Sequence, residues 1–273
     1  MRRTLLPALL LLAISSAPVH AAATTPPGVN LRWDQCYGDG GVQFKQFACD
    51  VNTGSERLVG SFELASDLPG VTGLEIWLSI GSGSATLPVW WTFNAPGGVI
   101  GCRGPALSVQ LTPPAGSLAC ADWAGGQAAG GLSAYQLNRP DPSHPRLALG
   151  AAAPTPADVF AGQETFAFAL TLNHTKTVGT GSCAGCLEPV VIFLAAIRVV
   201  PGADPGILLT TGANTESSQW VSWQTGYPTN IGRACGATGG GLFCFEPYAD
   251  FDVVPLVTPT RVSTWGQVKS LYR

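Results

Sequence analysis

Charge is what this sequence has least of. Asp, Glu, Lys and Arg make up 11% of its 273 residues, against about 25% in ordinary soluble domains. There are three lysines, and the formal net charge is −3. So sparse and slightly acidic a charge gives no electrostatic footprint for nucleic acid or an anionic lipid surface. Histidine is scarce too, with three in the chain. His144 lies in the proline-bounded PSHPR, and His174 at the end of TFAFALTLNHT. No GxSxG elbow, HExxH, phosphate-binding loop or strand-to-helix GxGxxG accompanies them, so the chemistry of those motifs has no sequence support. The sequence points to no catalytic, cofactor-binding or metal-ligating residue and to no cofactor. Long apolar runs are lacking beyond the N-terminus: PVVIFLAAIRVV is broken by Arg198 and falls short of the roughly 20 residues of a membrane-spanning helix. Helical periodicity is almost absent.

What is present begins with a targeting pattern. Arg2 and Arg3 precede an apolar stretch from Leu5 to Ile14, followed by small residues at Val19, Ala21 and Ala23. That is the layout of a secretory signal peptide over residues 1–21, and it predicts a secreted or cell-surface protein with no transmembrane span in the mature chain. Glycine (34) and proline (22) are abundant, yet 46% of residues are hydrophobic, which is no composition for disorder.

The apolar residues fall into short runs separated by turn residues, the pattern of strands. Such runs occur at NLRWDQC, VQFKQFAC, RLVGSFELA, GLEIWLSIG, PVWWTF, ALSVQLT, SAYQLN, RLALGAA, TFAFALTLNHTKTV, PVVIFLAAIRVV, GLFCFEP and DFDVVPL. In TFAFALTL, Phe166, Phe168 and Leu170 alternate with Thr165, Ala167, Ala169 and Thr171, predicting a half-buried strand. VVIFLAAI is apolar on both faces, as in a central strand. DWAGGQAAGGLSAY and RPDPSHPRLALGAAAPTPAD read as surface loops. Many short strands with Gly/Pro turns predict an all-β fold, a single large β-sandwich or jelly-roll-like domain over residues 28–257. Residues 258–273 form a tail with a short amphipathic helix, in which Trp265, Val268, Leu271 and Tyr272 share a contact face.

Eight cysteines in an exported chain predict disulfides. Their grouping suggests sequential pairing: Cys36 with Cys49, Cys102 with Cys120, Cys183 with Cys186, Cys235 with Cys244. GTGSCAGCLEP admits three readings: a redox CxxC, half a metal site, or a local staple. A redox pair wants a helix N-terminus after a strand, whereas this stretch precedes a strand. A zinc site wants a second pair or nearby histidines. The local staple is therefore preferred.

Among eight tryptophans, Trp90 and Trp91 are adjacent, so on a strand they face opposite ways and at least one enters the core. Trp220 and Trp223 sit in the polar, loop-like ESSQWVSWQTGYPTN, where flat rings suit a sugar face. Covering the core from a loop is the plainer alternative. Asp250 with Asp252, or Asp34 with Asp39, would suit calcium, although no EF-hand spacing is present. The NHT at 173–175 is a glycosylation sequon.

NLRWDQCYGDGG followed by FACDVNTGSERLVGSFEL resembles the start of a group of uncharacterised exported bacterial proteins, and STWGQVKSLYR resembles a tail recurring on exported proteins of similar bacteria. The resemblance implies location; no activity comes with it. The expected function is a non-enzymatic structural or adhesive protein of the cell surface or medium, self-assembling or partnered by a surface matrix or glycan. Alternatives are a carbohydrate-binding module using Trp220 and Trp223, and a secreted glycoside hydrolase or lyase.

Overall fold

A computed structural model describes residues 27–224 except 97, 114–119, 139–141, 143–144, 203–204 and 211–217. The expected signal peptide, Cys235 and Cys244, His144, Asp250 and Asp252, and the tail face of Trp265, Val268, Leu271 and Tyr272 lie outside the described residues.

The chain is all-β, in two sheets. Its strands are β1 (Gly28–Trp33), β2 (Phe44–Lys45), β3 (Ser55–Glu63), β4 (Leu68–Ser82), β5 (Leu107–Gln110), β6 (Ala121–Asp122), β7 (Ala129–Gln136), β8 (Arg146–Val159), β9 (Thr165–Asn173), β10 (Val190–Pro201), β11 (Ile207–Leu209) and β12 (Trp220–Trp223). The smaller sheet runs β1-β3-β9-β5, with β6 beside β9. The larger runs β2-β12-β10-β4-β8-β7, with β11 beside β10. One hydrophobic core lies between them, fed by Val29, Leu31 and Leu58 from the first sheet and Ile76, Leu78 and Ile192 from the second. A small void of about 10 Å³ bordered by Leu58, Leu78 and Phe93 remains in it, at the lower limit of what a single water occupies.

β10 is the doubly apolar strand its sequence describes. Val190, Ile192 and Leu194 face the common core. Val191, Phe193 and Ala195 join Trp220 in a separate cluster on the opposite face, with Trp77 packed against it. The glycine-rich AGGLSAY, read within a surface loop, is most of β7, and four further segments depart from the sequence pattern. PVWWTF is no strand: Val89–Trp91 is a 3-10 turn in which Trp91 N donates to Pro88 O at 2.9 Å and Thr92 N to Val89 O at 3.1 Å. Turning the chain sends both indoles into the core, where a strand would have sent one outward. QWVSW, with polar flanks, is β12 rather than a loop, and its period of two directs Val221 and Trp223 inward. The proline-rich APTPADV is the second half of β8. Pro154 and Pro156 fall in the irregular stretch between the Gly73↔Ala152 and Val71↔Ala157 pairs, beyond the end of the β7 ladder at Ala152. There a missing N–H breaks no regular pairing.

The fourth departure is in β9. Its ladder with β3 shifts between Gly60↔Phe168 and Ser61↔Phe166, leaving Ala167 as the extra residue of a bulge. The bulge throws Phe166 onto the outer face, beside Val59 and the Cys36–Cys120 pair, while Phe168 and Leu170 stay in the core. Gly60 makes this possible, because a Cβ there would lie 2.0 Å from the Phe168 ring.

Candidate functional site

Three loops meet at one end of the molecule: 46–54 before β3, 83–106 before β5, and 174–189 between β9 and β10. The cysteines bind them, and not in sequential order. Cys102 pairs with Cys183, Cys49 with Cys186, and Cys36 with Cys120. The sequential pairing expected for these six is therefore corrected. Residues close in sequence diverge onto different strands, and loops at one end of a two-sheet fold come from distant hairpins. CAGC is neither a local staple nor a free redox pair, since no free cysteine occurs among the described residues. It is a double anchor whose halves hold two different neighbours.

Beneath the loops the polar groups form a connected chain, in which His174 Nδ1 is buried without a hydrogen-bond partner. Arg103, following Cys102, is fully buried. Its guanidinium lies 3.3 Å from the centroid of the Trp90 ring. Nε donates to Thr175 O at 3.0 Å, Nη1 to Trp90 O at 3.0 Å, and Nη2 to Asn173 O. Burial pulls its pKa down to about 9, so at neutral pH it remains a cation held by carbonyls and a π-face. Trp90 Nε1 donates to Thr177 Oγ1 at 3.1 Å, and that hydroxyl donates to His174 O at 2.6 Å. His174 is buried, with Nε2 3.2 Å from Glu56 Oε1. Glu56 also meets Lys45 Nζ at 3.0 Å, and Lys45 meets Asp34 at 2.6 Å. Burial by itself would lower the Lys45 pKa; Asp34 and Glu56 outweigh it and hold the ammonium above its ordinary range. This row resembles a relay, but its groups bind one another and the backbone. Asn173 of the sequon is engaged likewise, with Oδ1 accepting from Thr175 N at 3.1 Å and Thr175 Oγ1 at 2.5 Å.

Trp223 is the hub of the aromatic packing. It stacks on Phe47 at 3.6 Å between centroids and also meets Trp33, Trp90 and Trp91. Its Nε1 donates to Cys186 O at 2.7 Å, tying the hub to the anchor loop. Trp223 is 0% exposed and Trp220 2%, so neither ring offers a face on which a sugar can stack. Asp34 is occupied by Lys45, and Asp39 belongs to the 3-10 turn Tyr37–Asp39. Among the described residues no three His, Cys, Asp or Glu side chains come together around one point.

The loop cluster also carries exposed apolar side chains. Ile100 is 89% exposed, Leu187 76% and Val89 50%. They sit on the two loops joined by Cys102–Cys183. Val89 is next to Trp90, whose N donates to Ala184 O at 2.8 Å, and Leu187 follows Cys186 directly. Three large exposed apolar side chains on tied loops mark a rim at this end of the molecule. Sequence reasoning missed this rim and Arg103: Ile100 in GGVIG and Leu187 in GCLEP lie in short turn-rich stretches, and no periodicity marks them. No protein-family model, no curated protein and no solved structure matches the chain.

Proposed function

We propose that the protein is a non-enzymatic structural or adhesive component of the extracellular space or cell surface, and that the Val89–Ile100–Leu187 rim is its contact surface, a second copy of the chain being the first occupant to test. The carrying observation is the exposure of these side chains on loops that two disulfides and a buried guanidinium hold in place. A preordered apolar surface loses little conformational entropy on association. The signal-like N-terminus and the resemblance to exported proteins support the location, and the low charge supports close packing between like surfaces. Size-exclusion chromatography with light scattering tests the reading on the mature protein and on an Ile100→Asp/Leu187→Asp variant. The wild type is expected to run as a dimer or larger, and the variant as a monomer. A monomeric wild type at about 100 μM, far above the Kd of a specific contact of useful strength, overturns self-association.

A further inference from the structure

The face of the smaller sheet turned away from the core carries a second polar cluster. Alternation along β1 sends Val29, Leu31 and Trp33 into the core and Asn30 and Arg32 to the other side. Asn30 lies directly opposite Ser61 on β3, and Gly28 opposite Glu63. On the other flank of β3, Ser61 pairs with Phe166 and Phe62 with Thr165, so the residue before β9, Glu164, comes alongside Glu63. Ser61 Oγ donates to Glu164 Oε1, Tyr37 N donates to the same oxygen at 2.8 Å, and Gly38 N donates to Oε2 at 2.7 Å. Asn30, Ser61, Glu63 and Glu164 thus surround the position of Gly28, which contributes no side chain.

Asn30 needs an explanation here. It is 0% exposed, yet neither Oδ1 nor Nδ2 has a hydrogen-bond partner, and a buried amide left unsatisfied is destabilising. It stands on the same face as the buried Glu63 and directly opposite Ser61, whose hydroxyl bonds Glu164. A bound cation would engage Oδ1, and a water in its shell can accept from Nδ2.

We propose that Asn30 Oδ1, Ser61 Oγ, Glu63 and Glu164 form a binding site for a hard divalent cation, calcium in preference to magnesium. All four offer oxygen. A set of mixed carboxylate, amide and hydroxyl ligands suits the flexible coordination of calcium better than the strict octahedron of magnesium. Arg32, on the next pair of the same face, stacks over Tyr37 with 4.6 Å to the ring centroid and donates to Leu31 O and Ser218 O. Its charge offsets one carboxylate, so the site is weak, with a Kd of roughly 0.1–1 mM, the range of extracellular calcium modules.

The test is thermal unfolding of the mature protein, stripped with EDTA and then titrated with calcium or magnesium, with calorimetric titration beside it. About 5 mM calcium should raise the midpoint by about 2–4 °C, magnesium should raise it less, and the calcium shift should vanish in Glu63→Gln and in Asn30→Ala. No calcium shift and no heat of binding overturns the proposal. A shift that persists in both variants also overturns it, by placing calcium elsewhere.

Discussion

Glu75 on β4 and Arg198 on β10 occupy paired positions on the outer face of the larger sheet, with Nη1 3.0 Å from Oε2. Burial raises the Glu75 carboxyl, and Arg198 opposes that rise without cancelling it. A carboxylate whose folded pKa lies above its unfolded value weakens the fold at high pH, and the penalty disappears as pH falls through the folded pKa toward the ordinary range. Arg198→Met removes the opposing charge and leaves Glu75 buried, so the penalty grows. The variant should lose about 3 kcal/mol at neutral pH, and the deficit should shrink as pH drops toward about 5. Urea unfolding of both proteins at the two pH values checks this. An equal deficit at both would mean that Arg198 acts through its packing on Trp77, whose ring centroid is 5.6 Å away.

At the level of elements, the strand runs were legible wherever β-branched, aromatic and other apolar residues ran between turn residues, as in β3, β4, β9 and β10. The misses share a physical cause. Local pattern reports which residues are apolar, not which way a turn or bulge will aim them. PVWW carries strand-like residues, but Pro88 opens a 3-10 turn that places both indoles inside. TFAFALTL alternates in sequence, but β9 is not the half-buried strand expected: residues 165–170 are all buried, on both faces, and one extra residue opposite Gly60 and Ser61 moves Phe166 to the other face. Cysteine pairing was least legible, because the disulfides join positions 81, 84 and 137 residues apart. Bridges over such spans restrict the unfolded chain by about 4–5 kcal/mol each in the chain-entropy account. Non-reducing peptide mapping should link Cys183 to Cys102 and Cys186 to Cys49; a peptide with Cys183 joined to Cys186 contradicts the double anchor. The Cys102→Ala/Cys183→Ala variant should lose about 4 kcal/mol and, with its loops untied, should also lose self-association although Ile100 and Leu187 remain.

At the scale of the whole molecule, the two sheets and their tryptophan-rich core set what kind of contact the loop cluster can make. Trp223 ties β12, the anchor loop and the Trp90–Trp91 turn into one packed unit, so the rim sits on a stiff base. The exposed residues of that rim are Val89, Ile100 and Leu187, and charged residues are 11% of the chain. Association through such a surface depends on removing apolar area from water rather than on ion pairs. Apolar association weakens on cooling and strengthens in sulfate, whereas contact through surface charges is screened once the Debye length falls to about 10 Å at 0.1 M salt. The mass measured by light scattering should therefore hold between about 0.05 and 0.5 M sodium chloride, rise with ammonium sulfate, and fall between about 25 and 5 °C. Dissociation by sodium chloride alone would assign the contact to the sparse charges and remove the apolar rim from it.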